Sequence, residues 1–404
     1  MYSQLQKTLG GNQMQHTSIY IKNANVFQEN KIISKGNIYI ENGKIKVISD
    51  GEDFEKKLDN NVRVINAANL NAIPGFIDGH IHGTNGSDVM DATEEALDTM
   101  AAALPHEGTT SFLATTITNS PENIEKALAN IADYKNKPGQ AEMLGVHLEG
   151  PFIEKSKAGA QPLEYIIKPD KQVFESWQHL SGEKIKTITM APEHDKDGSF
   201  TGYLTSKGVN VSAGHTGTDF AGMKQAVAHG VQQVTHLCNA MSGIHHRDIG
   251  VVGAAFQLKE LRGELIADGI HVSPEMLQLI FNNMGSDRII LITDAMRAKG
   301  LPDGDYELGG QPVQVSKGKA VLGDGTLAGS ILKMHEGAQQ MLDLNGVAIE
   351  DIIQMTSVNP AKQLGVYDKK GSIRVGKDAD ILLVDDNLNI KYTLSRGIMT
   401  HEGK

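Results

Sequence analysis

Two histidines, His80 and His82, stand one residue apart at the end of the apolar segment 74–83. Side chains of a β-strand alternate between its two faces, so these imidazoles would project from one face and could bind one metal ion. An ordinary polar pair at a strand end is the alternative that this segment alone leaves open. Later apolar segments end in residues of similar chemistry, namely Glu149, His215, His236, His271 and Asp294. The repetition predicts a pocket at which several strands end.

Five of these residues form a candidate ligand set: His80, His82, Glu149, His215 and His236. A nitrogen-rich set with one carboxylate suits Zn²⁺ or Fe²⁺ and does not suit Mg²⁺ or Ca²⁺. A carboxylate can bridge two ions, so the sequence predicts a divalent metal site with one or two ions. Asp294, at the end of the predicted eighth strand, could take a proton from water and return it to a leaving group. A helix N-cap is the alternative role for this aspartate.

Two further residues are candidates for substrate contacts. His271 could polarise a substrate carbonyl. Arg247, in the loop sequence His-His-Arg-Asp at 245–248, could bind a phosphate in bidentate fashion. A solvated loop arginine is the alternative interpretation. His147 stays unassigned, because its strand register decides which face it occupies.

Apolar strand-like segments alternate with helical patterns through the middle of the chain. The predicted strands are residues 72–82, 109–116, 143–149, 185–192, 209–215, 233–238, 263–268 and 288–293. The predicted helices are residues 94–107, 121–134, 171–179, 219–229, 274–284, 332–344 and 349–364. Eight such units predict an α/β fold, a closed (β/α)₈ TIM-type barrel with its active site at the C-terminal strand ends. An open doubly wound sheet competes, but its Gly-x-Gly-x-x-Gly turn is missing.

Both chain ends have short strand patterns and turn signals without helices. With 404 residues the chain exceeds the usual size of one core. We therefore predict a small β-sandwich domain from residues 17–71 and 372–404, and a metal-dependent barrel domain from residues 72–371. Residues 1–16 read as a loose tail with Met14 as an alternative start. Hairpin signals in residues 303–330 place that insertion over the pocket mouth.

The composition excludes several classes of partner and location. A formal net charge of -11 argues against nucleic-acid or anionic-membrane binding, so a phosphate ligand would need a local basic residue. Cys238 is the single cysteine, which rules out an intrachain disulfide and favours a reducing compartment. The N-terminus has no secretory pattern, and no apolar run approaches the ~20 residues of a membrane helix. The expectation is a soluble cytoplasmic protein.

Several motifs carry a resemblance to a known family. Residues 74–83 (PGFIDGHIHG), 357–361 (SVNPA) and 376–380 (GKDAD) resemble the amidohydrolase superfamily across nearly the whole chain. Residues 147–152 (HLEGPF), 214–216 (GHT), 235–241 (THLCNAM) and 293–295 (TDA) are similar to the members that deacetylate N-acetylglucosamine 6-phosphate. Many relatives use a carboxylated lysine at the fourth strand end, whereas residues 189–193 here contain none. The resemblance implies metal-dependent hydrolysis of that amino-sugar phosphate to glucosamine 6-phosphate and acetate.

The resemblance also implies roles for individual residues. Glu149, His215 and His236 would be the principal metal ligands, His80 and His82 would hold a second ion, and Asp294 would be the catalytic acid/base. Implied substrate contacts are Ala160, Gln161, Asn239, Ala240, Arg247, His271, Leu327, Ala328 and Gly329. A homodimer is expected, in which the arginine matching Arg247 reaches the neighbouring subunit's phosphate. The alternatives are another amidohydrolase, such as a cyclic amidohydrolase or an aminoacylase, and a metal-binding or sugar-sensing protein without turnover.

Overall fold

The computed structural model describes residues 18–50 and 61–403, which form two large sheets. The predicted tail at residues 1–16 and the first residue of the predicted small domain lie outside the described residues. The larger body is built on eight parallel strands: Phe76–Ile81, Thr109–Thr116, Glu142–Glu149, Ile185–Met190, Asn210–Ala213, Gln233–Val234, Arg262–Ile266 and Ile289–Ile292. Each pairs with the next one in chain order. The parallel order follows from the helical crossovers between the strands.

The two edges of this sheet meet, so that the strands surround one core. The Asp294 amide donates to the His80 carbonyl at 2.8 Å, and the His82 amide donates to the Ala295 carbonyl at 2.9 Å. The end of the last strand is therefore hydrogen-bonded to the end of the first. The predicted (β/α)₈ barrel is confirmed, and its C-terminal rim brings residues near 80 and 294 together.

Helices cover the barrel, and half of them begin at a side-chain cap. They are Glu94–Ala103, Pro121–Asp133, Lys171–Leu180, Ser199–Ser206, Phe220–His229, Gly250–Gln257, Pro274–Met284, Met334–Leu342, Ile349–Ile353 and Asn359–Gln363. Short 3₁₀ turns span Val89–Asp91, Leu104–Glu107, Lys155–Lys157, Leu163–Tyr165, Pro192–His194 and Ser286–Arg288. Ser120 and Ser273, for example, accept amide hydrogens at helix starts that carry a proline in the first turn. The predicted helix 349–364 contains a π-helical turn, Gln354–Val358, before Pro360, which has no N–H to donate.

The second sheet combines both chain ends, as predicted. It contains Ser18–Phe27, Ile32–Glu41, Lys44–Ser49, Arg63–Asn66, Asn71–Pro74, Ile381–Val384, Ile390–Ser395 and Ile398–Glu402. Asn71–Pro74 pairs antiparallel with Ile381–Val384. The single strand predicted over residues 72–82 is therefore wrong, and the predicted boundary at residue 72 falls within a strand of this sheet. Gly75 separates the two strands at a point where a Cβ would collide with the Thr110 side chain.

The insertion after the last barrel strand forms a small antiparallel sheet of three strands. They are Gly304–Leu308, Gln311–Ser316 and Lys319–Val321. The Gln311 side chain donates from Nε2 to the Ala160 carbonyl at 2.6 Å, which connects this sheet to the loop after the third barrel strand. None of the helices in residues 18–50 and 61–403 combines the length and apolar composition that crossing a bilayer requires.

Candidate metal centre

Four imidazoles converge at the C-terminal rim of the barrel, and all four are buried. Each donates from Nδ1 to an oxygen: His80 to Glu264 Oε2 (3.0 Å), His82 to Thr115 O (3.2 Å), His215 to Lys157 O (2.8 Å) and His236 to Asn239 O (3.1 Å). Carbonyl and carboxylate oxygens can only accept, so these contacts place the proton on Nδ1. In the neutral form of each ring, Nε2 then has a lone pair directed at the centre, which is the tautomer that metal ligation through Nε2 requires.

Two buried carboxylates lie among the four Nε2 atoms. Glu149 Oε1 lies 3.2 Å from both His215 Nε2 and His236 Nε2, while Oε2 lies 3.3 Å from His82 Nε2. Asp294 Oδ1 lies 3.4 Å from His80 Nε2 and 3.2 Å from His82 Nε2. Glu149 therefore faces both histidine pairs, so its carboxylate could serve ions held by either pair.

The electrostatics of the centre favour positive charge. Burial would lower the pKa of His80, but Asp294 and Glu149 outweigh it and raise the pKa to about 9. Burial would likewise lower the pKa of His236, and a hydrogen bond with Glu149 raises it instead. Burial would raise the pKa of Asp294, whereas His80 and His82 bring it down to about 2. Burial would raise the pKa of Glu149 as well, but His80 and the other histidines hold it well below its ordinary value, so both carboxylates stay ionised. A divalent cation can balance this negative charge.

Backbone conformation at the centre is unusual. His215, His236 and Asp294 have φ angles of 47°, 31° and 47°, in the left-handed region that non-glycine residues rarely adopt. Such conformations cost about 1–3 kcal/mol each and persist where surrounding contacts hold them. The contacts here include the acceptors of the Nδ1 protons. The strain turns each side chain toward the pocket directly after its strand.

Two observations indicate that these residues suit a metal ion: the chemistry of their donor atoms, and a buried nitrogen, His80 Nε2, without a hydrogen-bond partner among the described residues. Three groups of potential ligands occur among the described residues: His80 with His82 and Asp294, Glu149 with His215 and His236, and His80 with His147 and Glu264. In each group the ligand atoms lie within 4.8 Å of one another. Imidazoles with fixed tautomers and ionised carboxylates are ligands for a divalent transition metal.

His147 also lies beside this centre, but its contacts give it another role. Its Nδ1 lies 3.2 Å from the Gly79 carbonyl, and its Nε2 lies 2.7 Å from Thr189 Oγ1. Both ring nitrogens are therefore engaged. Burial and the neighbouring His80 hold the pKa of His147 well below its ordinary value. His147 is a neutral structural residue that links the first, third and fourth barrel strands.

A cleft of about 330 Å³ opens onto the centre. Seven of the predicted substrate contacts line it, namely Ala160, Gln161, Asn239, Ala240, His271, Leu327 and Gly329. Ala328 is completely buried and does not line the cleft. Leu308, Thr326 and Leu327 come from the insertion, so that segment lies at the cleft as predicted.

Two predicted contacts differ in their surroundings. His271 Nδ1 lies 2.7 Å from Asp268 Oδ2, and Asp268 Oδ1 accepts the amides of Ile270 and His271 at 2.8 Å. This arrangement holds the ring at the cleft wall. Arg247 is exposed, its Nη1 lies 2.7 Å from His246 Nε2, and it does not line the cleft of its own chain.

Sequence reasoning missed two contributors, Glu264 and Lys157, and gave Gln161 only a substrate contact. Glu264 accepts from His80, Lys157 supplies the carbonyl that orients His215, and Gln161 Nε2 donates to Glu149 Oε2 at 2.7 Å. Glu264 had one available signal, because it is a glutamate that stands directly before the apolar residues Leu265 and Ile266 of a predicted barrel strand. The carbonyl contact of Lys157 depends on the backbone, so its residue type gave no signal.

Comparison with known proteins agrees with this geometry. The model of the amidohydrolase family matches residues 71–399, most of the chain. The chain belongs to the amidohydrolase family. This amidohydrolase is 46% identical over 387 residues to an N-acetylglucosamine-6-phosphate deacetylase of Bacillus subtilis (strain 168), covering 94% of this chain and 96% of the relative.

One further sequence relative and one solved structure are similar to this amidohydrolase. An N-acetylgalactosamine-6-phosphate deacetylase of Escherichia coli O157:H7 is 36% identical over 80% of this chain and 86% of the relative. The solved structure of N-acetylglucosamine-6-phosphate deacetylase from Thermotoga maritima superposes with a TM-score of 0.85 at 32% identity, covering 95% of this chain and 100% of that one. The chain is therefore similar to deacetylases of the amidohydrolase family over most of its length, in sequence and in fold.

Proposed function

We propose that this chain is a metal-dependent deacetylase that hydrolyses N-acetylglucosamine 6-phosphate to glucosamine 6-phosphate and acetate. The observation that carries the proposal is the 46% identity to the Bacillus subtilis deacetylase over nearly the full length of both chains. The cleft supports it, because its volume of about 330 Å³ suits a small sugar phosphate.

The proposed metal is Zn²⁺ or Fe²⁺, with one or two ions per chain. Glu149, His215 and His236 would hold the principal ion, and His80 and His82 would hold the second. The predominance of imidazole over carboxylate supports a borderline transition metal over Mg²⁺ or Ca²⁺. When bound, the ion supplies Lewis acidity to the amide carbonyl and to the attacking water.

Asp294 is the proposed proton carrier. It lies at the end of the last barrel strand, lines the cleft and is ionised, so it can accept a proton from water as the new C–O bond forms. The same carboxyl then delivers that proton to the sugar nitrogen as the C–N bond breaks. His271, held by Asp268, is placed at the cleft wall to hydrogen-bond the substrate.

A homodimer is part of the proposal. Arg247 is exposed and lies outside the cleft of its own chain, so a phosphate contact from it would have to reach the cleft of a second chain. A light-scattering mass of 43.6 kDa at assay concentration, with full activity, would remove the dimer. We also infer a cytoplasmic location, which the single cysteine supports.

The test compares acetate release from N-acetylglucosamine 6-phosphate, its galactosamine epimer and unphosphorylated N-acetylglucosamine. The proposal expects a clear preference for the first substrate and one free amine for each acetate. Comparable rates with and without phosphate would favour another amidohydrolase activity. Absence of turnover on all three by metal-loaded protein would favour a sugar-sensing or metal-binding role.

A further inference from the structure

Recognition of a sugar phosphate requires a cation at the cleft, and the structure offers one within the chain. Lys157 is the only lysine or arginine among the described residues that line the cleft. The two carboxylates of the centre, Glu149 and Asp294, line the same cleft and would repel a phosphate dianion. A local basic residue is therefore needed to favour the phosphate end of the substrate.

The Lys157 ammonium is available for an anion. Its Nζ lies 3.5 Å from the Met241 carbonyl, next to the lining residues Asn239 and Ala240, and the side chain is half-buried. No carboxylate lies within ion-pair distance of it in the described part of the chain. Lys299, in contrast, is buried and has a carboxylate partner, Glu107, at 2.7 Å. A partly desolvated ammonium without a counter-ion fits a ligand that brings the negative charge.

The main chain of the same residue contacts the metal centre. The Lys157 carbonyl accepts the Nδ1 proton of His215 at 2.8 Å, and four residues later Gln161 donates to Glu149. One loop therefore carries the ammonium and two of the groups that orient metal-binding side chains. Phosphate binding at Lys157 would restrict this loop, so that binding energy from the remote phosphate can act at the reacting centre.

We propose that Lys157 binds the substrate phosphate and determines the preference for phosphorylated sugars. This inference rests on the proposed deacetylase function and deepens it. Lys157 supplies the cation from within the chain, whereas Arg247 can contribute only from a second chain. The phosphate oxygens accept hydrogen bonds from Nζ in the space beside the Met241 carbonyl.

The test compares Lys157→Met with Lys155→Met, an exposed lysine in the same 3₁₀ turn that does not line the cleft. Methionine keeps the length and the backbone carbonyl of Lys157 and removes the charge. The ratio of kcat/KM for the phosphorylated over the unphosphorylated sugar should fall about 10- to 100-fold in Lys157→Met, the range for hydrogen bonds to charged groups. Lys155→Met should keep the wild-type ratio, and Lys157→Arg should recover part of it. An unchanged ratio in Lys157→Met overturns the proposal.

Two further arms separate this inference from the proposed function. Calorimetric binding of inorganic phosphate to the metal-loaded protein should weaken in Lys157→Met and persist in Lys155→Met, whether or not the protein turns over an N-acetyl sugar. If wild type binds phosphate through Lys157 but releases no acetate, the deacetylase proposal fails and the phosphate site stands. If Arg247→Met removes the phosphate preference while Lys157→Met keeps it, the cation comes from a partner chain and the inference is wrong.

Discussion

Glu264 gives the sharpest test of how the histidine pair of the centre is held. It is 2% exposed, accepts the Nδ1 proton of His80 at 3.0 Å and accepts from Gln233 Nε2 at 2.6 Å. Glu264→Gln keeps the size of the side chain but removes its charge. A hydrogen bond to a charged group contributes about 1 kcal/mol more than a neutral one. Loss of a carboxylate behind a ligating histidine typically weakens metal affinity about 10- to 100-fold.

The effect should be confined to one ion. His215 and His236 donate their Nδ1 protons to the carbonyls of Lys157 and Asn239, so Glu264→Gln leaves their orientation intact. Equilibrium dialysis against buffered Zn²⁺, followed by elemental analysis, should show one weakened ion and one of wild-type affinity. Glu260→Gln, an exposed glutamate just before the same strand, is the matched control. A metal isotherm identical to wild type, or equal weakening of both ions, refutes this account of the His80 contact.

Three other changes test stability and metal dependence. Lys370 is 3% exposed and lies 2.7 Å from the buried Asp380. Lys370→Met should lower the free energy of unfolding, measured in urea at pH 7, by about 3–5 kcal/mol, because it leaves a buried carboxylate without its partner. Burial would lower the pKa of Lys370, but Asp380 and Glu142 raise it above its ordinary value of 10.5. The stabilisation by the Lys370 ammonium is therefore complete below pH 10.5 and decreases as the pH rises further. A difference in unfolding free energy between wild type and Lys370→Met that stays constant at higher pH would contradict this. Trp177→Ala, which removes a buried ring stacked on Phe152, should cost about 3–5 kcal/mol, and a loss under 1 kcal/mol would be inconsistent with its burial. Chelator dialysis should abolish turnover and lower the melting temperature, since an ion at 100 times its Kd stabilises by about 2.7 kcal/mol; restoration by Mg²⁺ alone would argue against the nitrogen-rich centre.

The parts of the fold that sequence could predict depend on short-range periodicity. His80 and His82 were placed on one strand face by the period of two, and the alternation of strands and helices predicted the barrel. The division at Gly75 was missed, because residues on both sides are apolar and only the pairing of Asn71–Pro74 with Ile381–Val384 assigns them to another sheet. Pairing over 300 residues of sequence leaves no local signal.

The candidate site likewise contains residues that the sequence could predict and contacts that it could not. Ligand types at strand ends are visible in sequence, whereas the partners that fix them are not. The positions of the Lys157 and Asn239 carbonyls depend on the backbone conformation of their loops, which residue types do not specify. Gln161 contacts Glu149 only in the folded conformation of the loop that connects them. Arg247 had the right chemistry for phosphate, but the structure places it outside the cleft of its own chain. The roles of the individual site residues remain predictions for the experiments above.

The proposed proton transfer is tested by measuring kcat for N-acetylglucosamine 6-phosphate, together with metal content, in Asp294→Asn. Asp294 is proposed to move the proton from water to the sugar nitrogen, and Glu149, His215 and His236 are proposed to hold the principal ion without it. We expect a loss of about 10²–10⁴-fold in kcat, with at least the principal ion retained. Wild-type kcat at full metal content would show that Asp294 is not the proton carrier and would contradict the proposed mechanism.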